Sequence, residues 1–262
     1  MSARSTSLYR RSDGAFIATE RTQGPWAKGF QFGGAPAALI AHVVEQIPTL
    51  APMQVSRLTI DLLRPVPIAP IEVRSSVRRE GKRVQVIDVS LIADGTEVVA
   101  ARALRLRKID LSDLDLPSGP RRDGPPAVPT YDHRPPRATD DIAADMHGVL
   151  EYAVEPGDEI FRGHTWARLA IPVVDDDPIS PLERMAYVAD AGSGIGHPHD
   201  KPVTGINADL TLTVTRPCNG EWIHLGGSGA TSDAGIGWSN VVLSDELGVI
   251  GGVSLTRLIE RL

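Results

Sequence analysis

The chain has 262 residues, with 27 Lys and Arg against 33 Asp and Glu, for a formal charge of −6. Hydrophobic residues make up 42% and charged residues 23%, an ordinary globular composition that excludes a disordered or collagen-like chain. No apolar run reaches the roughly 18 residues of a membrane span, Met1–Phe16 lacks an apolar signal core, and the single Cys218 excludes an internal disulfide or a paired-cysteine zinc site.

The first segment with a clear period begins at Gly33-Gly34-Ala35-Pro36 and runs to Ile47, with Pro48 closing it. It is apolar nearly all round, which predicts a helix buried on most sides, and Pro36 suits its first turn. Strands are predicted at about 55–64, 70–80, 83–93 and 97–107, with Glu80-Gly81-Lys82 and Asp94-Gly95 as turns. The apolar parity flips at Val86-Ile87, which suggests a bulge there. From Asp110 to about Asp145 proline is dense enough to exclude a helix or central strand, so residues 110–145 read as a linker. Ser180-Pro181-Leu182-Glu183 is a capping box that opens a second helix, ended by Gly192-Ser193-Gly194. Further strands are predicted at about 205–216, 221–231, 234–244 and 248–260.

The two halves repeat. Leu58-Thr59-Ile60-Asp61-Leu62 and Leu210-Thr211-Leu212-Thr213-Val214 share a period of two, and both run on to Arg-Pro, Arg64 matching Arg216 at an offset of 152 residues. The offset persists through Leu91 and Leu243, Val98 and Ile250, and Arg105 and Arg257. The expected organisation is one unit over 14–109, the linker, and a second unit over 146–262. One buried helix against a bent antiparallel sheet, present twice, is an α+β double hotdog.

Two stretches carry a resemblance to a known family. Gly29-Phe30-Gln31-Phe32-Gly33-Gly34 through Arg64-Pro65 to Arg107 resembles the N-terminal hotdog of the TesB-like acyl-CoA thioesterases. Ala189-Asp190-Ala191-Gly192-Ser193-Gly194, Asn207-Ala208-Asp209-Leu210-Thr211, Arg216-Pro217 and Gly220-Glu221-Trp222 resemble their C-terminal hotdog. The resemblance implies an acyl-CoA substrate, hydrolysis of its thioester without a cofactor or metal, and a place in lipid metabolism. It matches the family's catalytic aspartate to Asp190. The family's usual threonine falls at Asn207, and its glutamine on the last strand is missing, leaving Thr256 as the nearest polar substitute.

The residues themselves allow this chemistry. Asp190 follows Leu182 by eight positions and Ala186 by four, so it shares their helix face. A carboxylate on a face pressed to the sheet is desolvated, and its pKa rises toward that of a general base. The alternative is that Asp190 caps the Gly192 turn. Asn207 can orient a water or can make an Asx turn at the strand entry. Gly33 and Gly34 offer helix N-terminal amides to a thioester carbonyl, or else make only a tight turn. The offset of 152 places Ala38 opposite Asp190, so one working site per chain is expected.

Other candidates carry less. His197-Pro198-His199-Asp200 lacks a third metal ligand, Cys218 has no adjacent histidine, and Trp26, Trp166, Trp222 and Trp238 are scattered. The basic hairpin Arg78–Arg83 is a solvated turn or a contact for coenzyme A phosphates. A hotdog hydratase would need a histidine five residues after its aspartate, and position 195 is Ile. A non-catalytic acyl-CoA or fatty-acyl binding protein is the remaining alternative. The mild acidity argues against nucleic acid. A cytoplasmic homo-oligomer is expected, because sheet edges are commonly covered by pairing.

Overall fold

The computed structural model of the chain describes residues 4–116, 119–126, 147–155, 158–175 and 177–262. Much of the predicted linker, including Pro117, Pro129, Pro135 and Pro136, lies outside these residues.

Two helices form where the sequence places them. Helix α1 spans Gly34–Gln46 and helix α2 spans Pro181–Ala191. In α2 the Ser180 hydroxyl accepts from the Glu183 amide at 3.1 Å, and the Glu183 carboxylate accepts from the Ser180 amide at 2.7 Å. This reciprocal pair satisfies two donors that the helix start would leave open. Nearly every residue of α1 and α2 is buried; α1 is apolar all round, as such a helix should be, whereas α2 also buries Glu183, Arg184 and Asp190, each with a hydrogen-bond partner.

The strands are β1 (Tyr9–Ser12), β2 (Ala15–Ala18), β3 (Met53–Leu62), β4 (Pro70–Arg79), β5 (Val84–Ala93) and β6 (Thr96–Arg107) in the first half. The second half contributes β7 (Leu150–Ala153), β8 (His164–Leu169), β9 (Val203–Val214), β10 (Ile223–Thr231), β11 (Ile236–Asp245) and β12 (Gly248–Arg261). They form one sheet in the order β1-β2-β4-β5-β6-β3-β9-β12-β11-β10-β8-β7. The order reads the same from either edge once each strand is exchanged for its repeat partner. At the seam β3 lies antiparallel to β9, and the register centres on Thr59 opposite Thr211, residues that the offset of 152 makes equivalent. Leu58 faces Leu212 and Ile60 faces Leu210 across this seam, and all four side chains are fully buried. Each such side chain contributes about 1.5–3 kcal/mol by leaving water.

The edge pairs β1-β2 and β7-β8 were not predicted. Their strands have four to six residues, too few for alternation to register. The bulge expected at Val86-Ile87 is also corrected. Gln85, Ile87, Val89 and Leu91 all face inward, and Gln85 pays its way inside by donating to the Pro48 carbonyl at 2.8 Å. Val84 and Val86 are outward-facing apolar residues that imitate a parity flip. The extra residue is Arg78 on β4, between Val77 opposite Ile87 and Arg79 opposite Val86.

The helices follow a different offset from the strands. Their first residues, Gly34 and Pro181, are 147 positions apart, because the connection from α2 to β9 is five residues longer than that from α1 to β3. Their last residues, Gln46 and Ala191, are 145 apart, so Glu45 rather than Ala38 is placed as Asp190 is: each is next to last in its helix, and Glu45 accepts the Ser180 hydroxyl at the start of α2 as Asp190 meets the start of α1. Replacing Ser180 by Ala removes the cap of α2, and the expected loss is about 1 kcal/mol. Urea denaturation of the two proteins checks it; an unchanged midpoint would show that the cap contributes nothing.

Candidate active site

Asp190 lies in the last turn of α2, where the helix crosses the start of α1. It is 2% exposed. Contact here is close because Gly33 and Gly34 have no side chains. A Cβ on Gly33 would sit 2.8 and 2.9 Å from the two carboxylate oxygens of Asp190, and one on Gly34 would meet the Tyr187 carbonyl at 2.5 Å. Glycine is required at both positions for this approach.

The carboxyl is held from both halves of the chain. The Gly34 amide donates to it from the start of α1, where the helix dipole also favours negative charge. Asn207 Nδ2 donates to Asp190 Oδ1 at 2.6 Å. Burial nevertheless dominates and pushes the Asp190 pKa up to about 6, while the two hydrogen bonds work against that rise. The alternative roles are not seen: the carboxyl bonds to Asn207 and Gly34 rather than capping the Gly192 turn, and Asn207 lies within β9 rather than at its entry.

A bulge aims Asn207. In the β9–β12 pairing Thr256 faces Asp209 and Arg257 faces Asn207, leaving Ala208 without a partner. Regular alternation from Leu210 and Leu212 would turn Asn207 outward; the extra residue turns it in. Its Oδ1 is buried and has no hydrogen-bond partner among the described residues. Such an atom carries a desolvation cost unless something else bonds it.

Thr256 is not part of this group. It is exposed on the outer face, where its hydroxyl and its amide both donate to Asp209 Oδ1. Alternation from the buried Val253 and Leu255 forces this orientation. The inward position beside Asn207 belongs to Arg257, which sequence reasoning noted only as a repeat match. Arg257 donates to the Ser193 carbonyl and, at 3.1 Å, to that of Trp238. Its repeat partner Arg105 donates likewise to Val44 and Ile47, at the end of α1. Both arginines brace a helix C-terminus, where a cation is favoured.

Aromatic rings surround the carboxyl. Phe32 and Tyr187 pack with centroids 5.5 Å apart, and Tyr152 meets Phe161 edge to face at 5.3 Å. The Tyr152 and Tyr187 hydroxyls are raised by burial first, and the Asp190 charge adds to both shifts. Phe161 sits at φ 66°, a strained conformation for a bulky residue. Its ring fills the space over Gly194, where a Cβ would come within 2.5 Å. Nothing in the sequence around Phe161 signalled this.

The remaining candidates lie apart. His199 Nε2 is 2.8 Å from the Gly194 carbonyl, and burial lowers the His197 pKa to about 4. Among the described residues no group of three or more His, Cys, Asp or Glu could hold a metal ion. Cys218 is buried and its thiol pKa is raised by that burial, the opposite of a nucleophile's environment. No helix among the described residues is long and apolar enough to cross a membrane.

Comparisons with known proteins bear on the family and the fold. Residues 22–106 match the model of the acyl-CoA thioesterase N-terminal domain, and residues 117–254 match that of the C-terminal domain. No curated protein sequence matches the chain. Among solved structures, a hot dog fold protein of unknown function from Alicyclobacillus acidocaldarius superposes with a TM-score of 0.72 at 14% identity, covering 98% of this chain and 97% of its own. An acyl-CoA thioesterase II, TesB2, from Mycobacterium marinum gives 0.64 at 15% identity, over 93% and 96%. A tesB protein from Mycobacterium avium subs paratuberculosis gives 0.63 at 16%, over 97% and 96%. At these identities the structures establish the double hotdog fold alone. The two domain models, which together span most of the sequence, establish the rest: the chain belongs to the acyl-CoA thioesterase family.

Proposed function

We propose that the protein hydrolyses an acyl-CoA thioester to a free acid and coenzyme A, with Asp190 as the general base. The observation that carries this reading is a dry carboxylate with a pKa near 6, bonded to an amide whose other end is unpartnered. The attacking water donates one hydrogen to Asn207 Oδ1 and the other to the Asp190 carboxylate. As its oxygen bonds to the thioester carbon, Asp190 takes the proton. The tetrahedral intermediate then collapses, the carbon–sulfur bond breaks, and the proton passes from Asp190 to the departing thiolate. A base that titrates near the working pH suits both transfers.

The developing oxyanion needs a donor. The Gly34 amide is engaged by Asp190, the Ala35 amide donates to the Phe32 carbonyl at 2.9 Å, and Pro36 has no N–H. Of the amides at the start of α1, that of Gly33 remains for the thioester carbonyl. This narrows the sequence expectation, which gave both glycines the same role. The catalytic set is then Asp190, Asn207 and Gly33, without Thr256. The first half has Glu45 and Val55 in the matching places, and without an amide to hold the water there we expect one such site per chain. A cytoplasmic homo-oligomer remains our expectation for its assembly and setting.

Thiol release from a panel of acyl-CoAs tests the reading. Asp190→Asn should lower kcat by about 100-fold or more. Equal rates in the two proteins would remove Asp190 from the mechanism, and binding without release by the wild type would favour a non-catalytic acyl-CoA binder. Stability offers a second check. The folded state keeps the Asp190 proton to about pH 6, whereas an unfolded aspartate loses it near pH 4. Ionisation therefore destabilises the fold as pH rises through that window. Relative to wild type, Asp190→Asn should gain about 3 kcal/mol between pH 4 and pH 7. A difference that does not change with pH would show an unshifted carboxyl.

A further inference from the structure

A cavity of about 270 Å³ opens between the end of α1, the start of β3 and the start of α2. Its lining includes Val55, Arg105 and Pro181. These are the repeat partners of Asn207 and Arg257 in the strands and of Gly34 at the helix start. The cavity thus occupies, in the first half, the place that the Asp190 site occupies in the second. The bulge that aims Asn207 is also present, with Val55 facing Arg105, Arg57 facing Leu104 and Ser56 unpaired. The first half has kept the space and, in Glu45, a carboxylate tied to Ser180, but Val55 has replaced the amide.

The lining indicates what the space would hold. Met53, Val55, Leu182 and Met185 give apolar walls. The volume falls just below the roughly 300 Å³ at which small-molecule pockets begin, so the guest must be slim. Two cations, Arg105 and Lys108, stand against one carboxylate, Glu45. Arg105 is bonded to helix-end carbonyls and to Gln85 Oε1 at 3.0 Å, and Glu45 accepts the Ser180 hydroxyl at 2.5 Å. Lys108 is exposed, and its ammonium has no ion-pair partner among the described residues.

We propose that this cavity binds the carboxylate of a short- or medium-chain aliphatic acid without turning it over. The tail lies among Met53, Leu182 and Met185, and the carboxylate pairs with Lys108. This is the class of acid that the proposed hydrolysis would release, so the proposal extends that reading to a second, product-binding site. Its test uses no turnover and stands or falls separately.

Methionine-methyl NMR of the full chain provides the readout, since two of its four methionines, Met53 and Met185, line the cavity. Titrating octanoate should shift both signals to saturation. Lys108→Glu, an exposed change, should weaken binding by about tenfold or more, and Val55→Trp should fill the space and abolish the shift. Octanol, which has the same tail without the charge, should bind more weakly than octanoate. Unmoved Met53 and Met185 signals at millimolar octanoate would overturn the proposal. So would equal binding of octanoate and octanol, or a Lys108→Glu protein that binds octanoate as well as wild type.

Discussion

A carboxyl group kept out of water where two helices cross is the constraint around which this molecule is arranged. An isolated buried carboxylate is costly, and Asp190 is tolerated because one donor reaches it from each half: the Gly34 amide from the first and Asn207 from the second. Neither half could provide this arrangement alone. The continuous sheet, the seam of Leu58, Ile60, Leu210 and Leu212, and the glycines at the crossing all serve to fix that meeting point.

The repeat separates structural roles from chemical ones. Arg105 and Arg257 occupy equivalent positions and do equivalent work, each tying the end of a helix to the sheet. The bonds to helix-end carbonyls are what the two arginines share, so bracing is the role that the repeat preserves. Asn207 shows the opposite pattern: Val55 takes its place in the first half, whereas the Asp190 carboxylate is matched there by that of Glu45, so the amide is particular to the second half.

Much of the fold was legible because its signals are strong and local. The apolar first helix, the capping box that opens the second at Ser180 and eight long strands can each be read from a short window. The short strands β1, β2, β7 and β8 were missed because four to six residues give no period. Val84 and Val86 misled because exposed valines imitate a change of face. In the site, Asp190 was legible from its helix position, but the orientation of Asn207 depends on a bulge at Ala208 that no local pattern marks. Thr256 failed for the matching reason: it lies one residue from an inward position, and alternation allows no compromise. The left-handed backbone of Phe161 carries no local sequence mark, since it is neither glycine nor asparagine.

The pH dependence of kcat/KM for acyl-CoA hydrolysis tests the central claim most directly. If the dry Asp190 carboxyl is the base, activity rises with pH along a limb whose midpoint lies near 6. A limb centred near the ordinary aspartate value of about 4, or a rate that is flat across this range, would contradict the account.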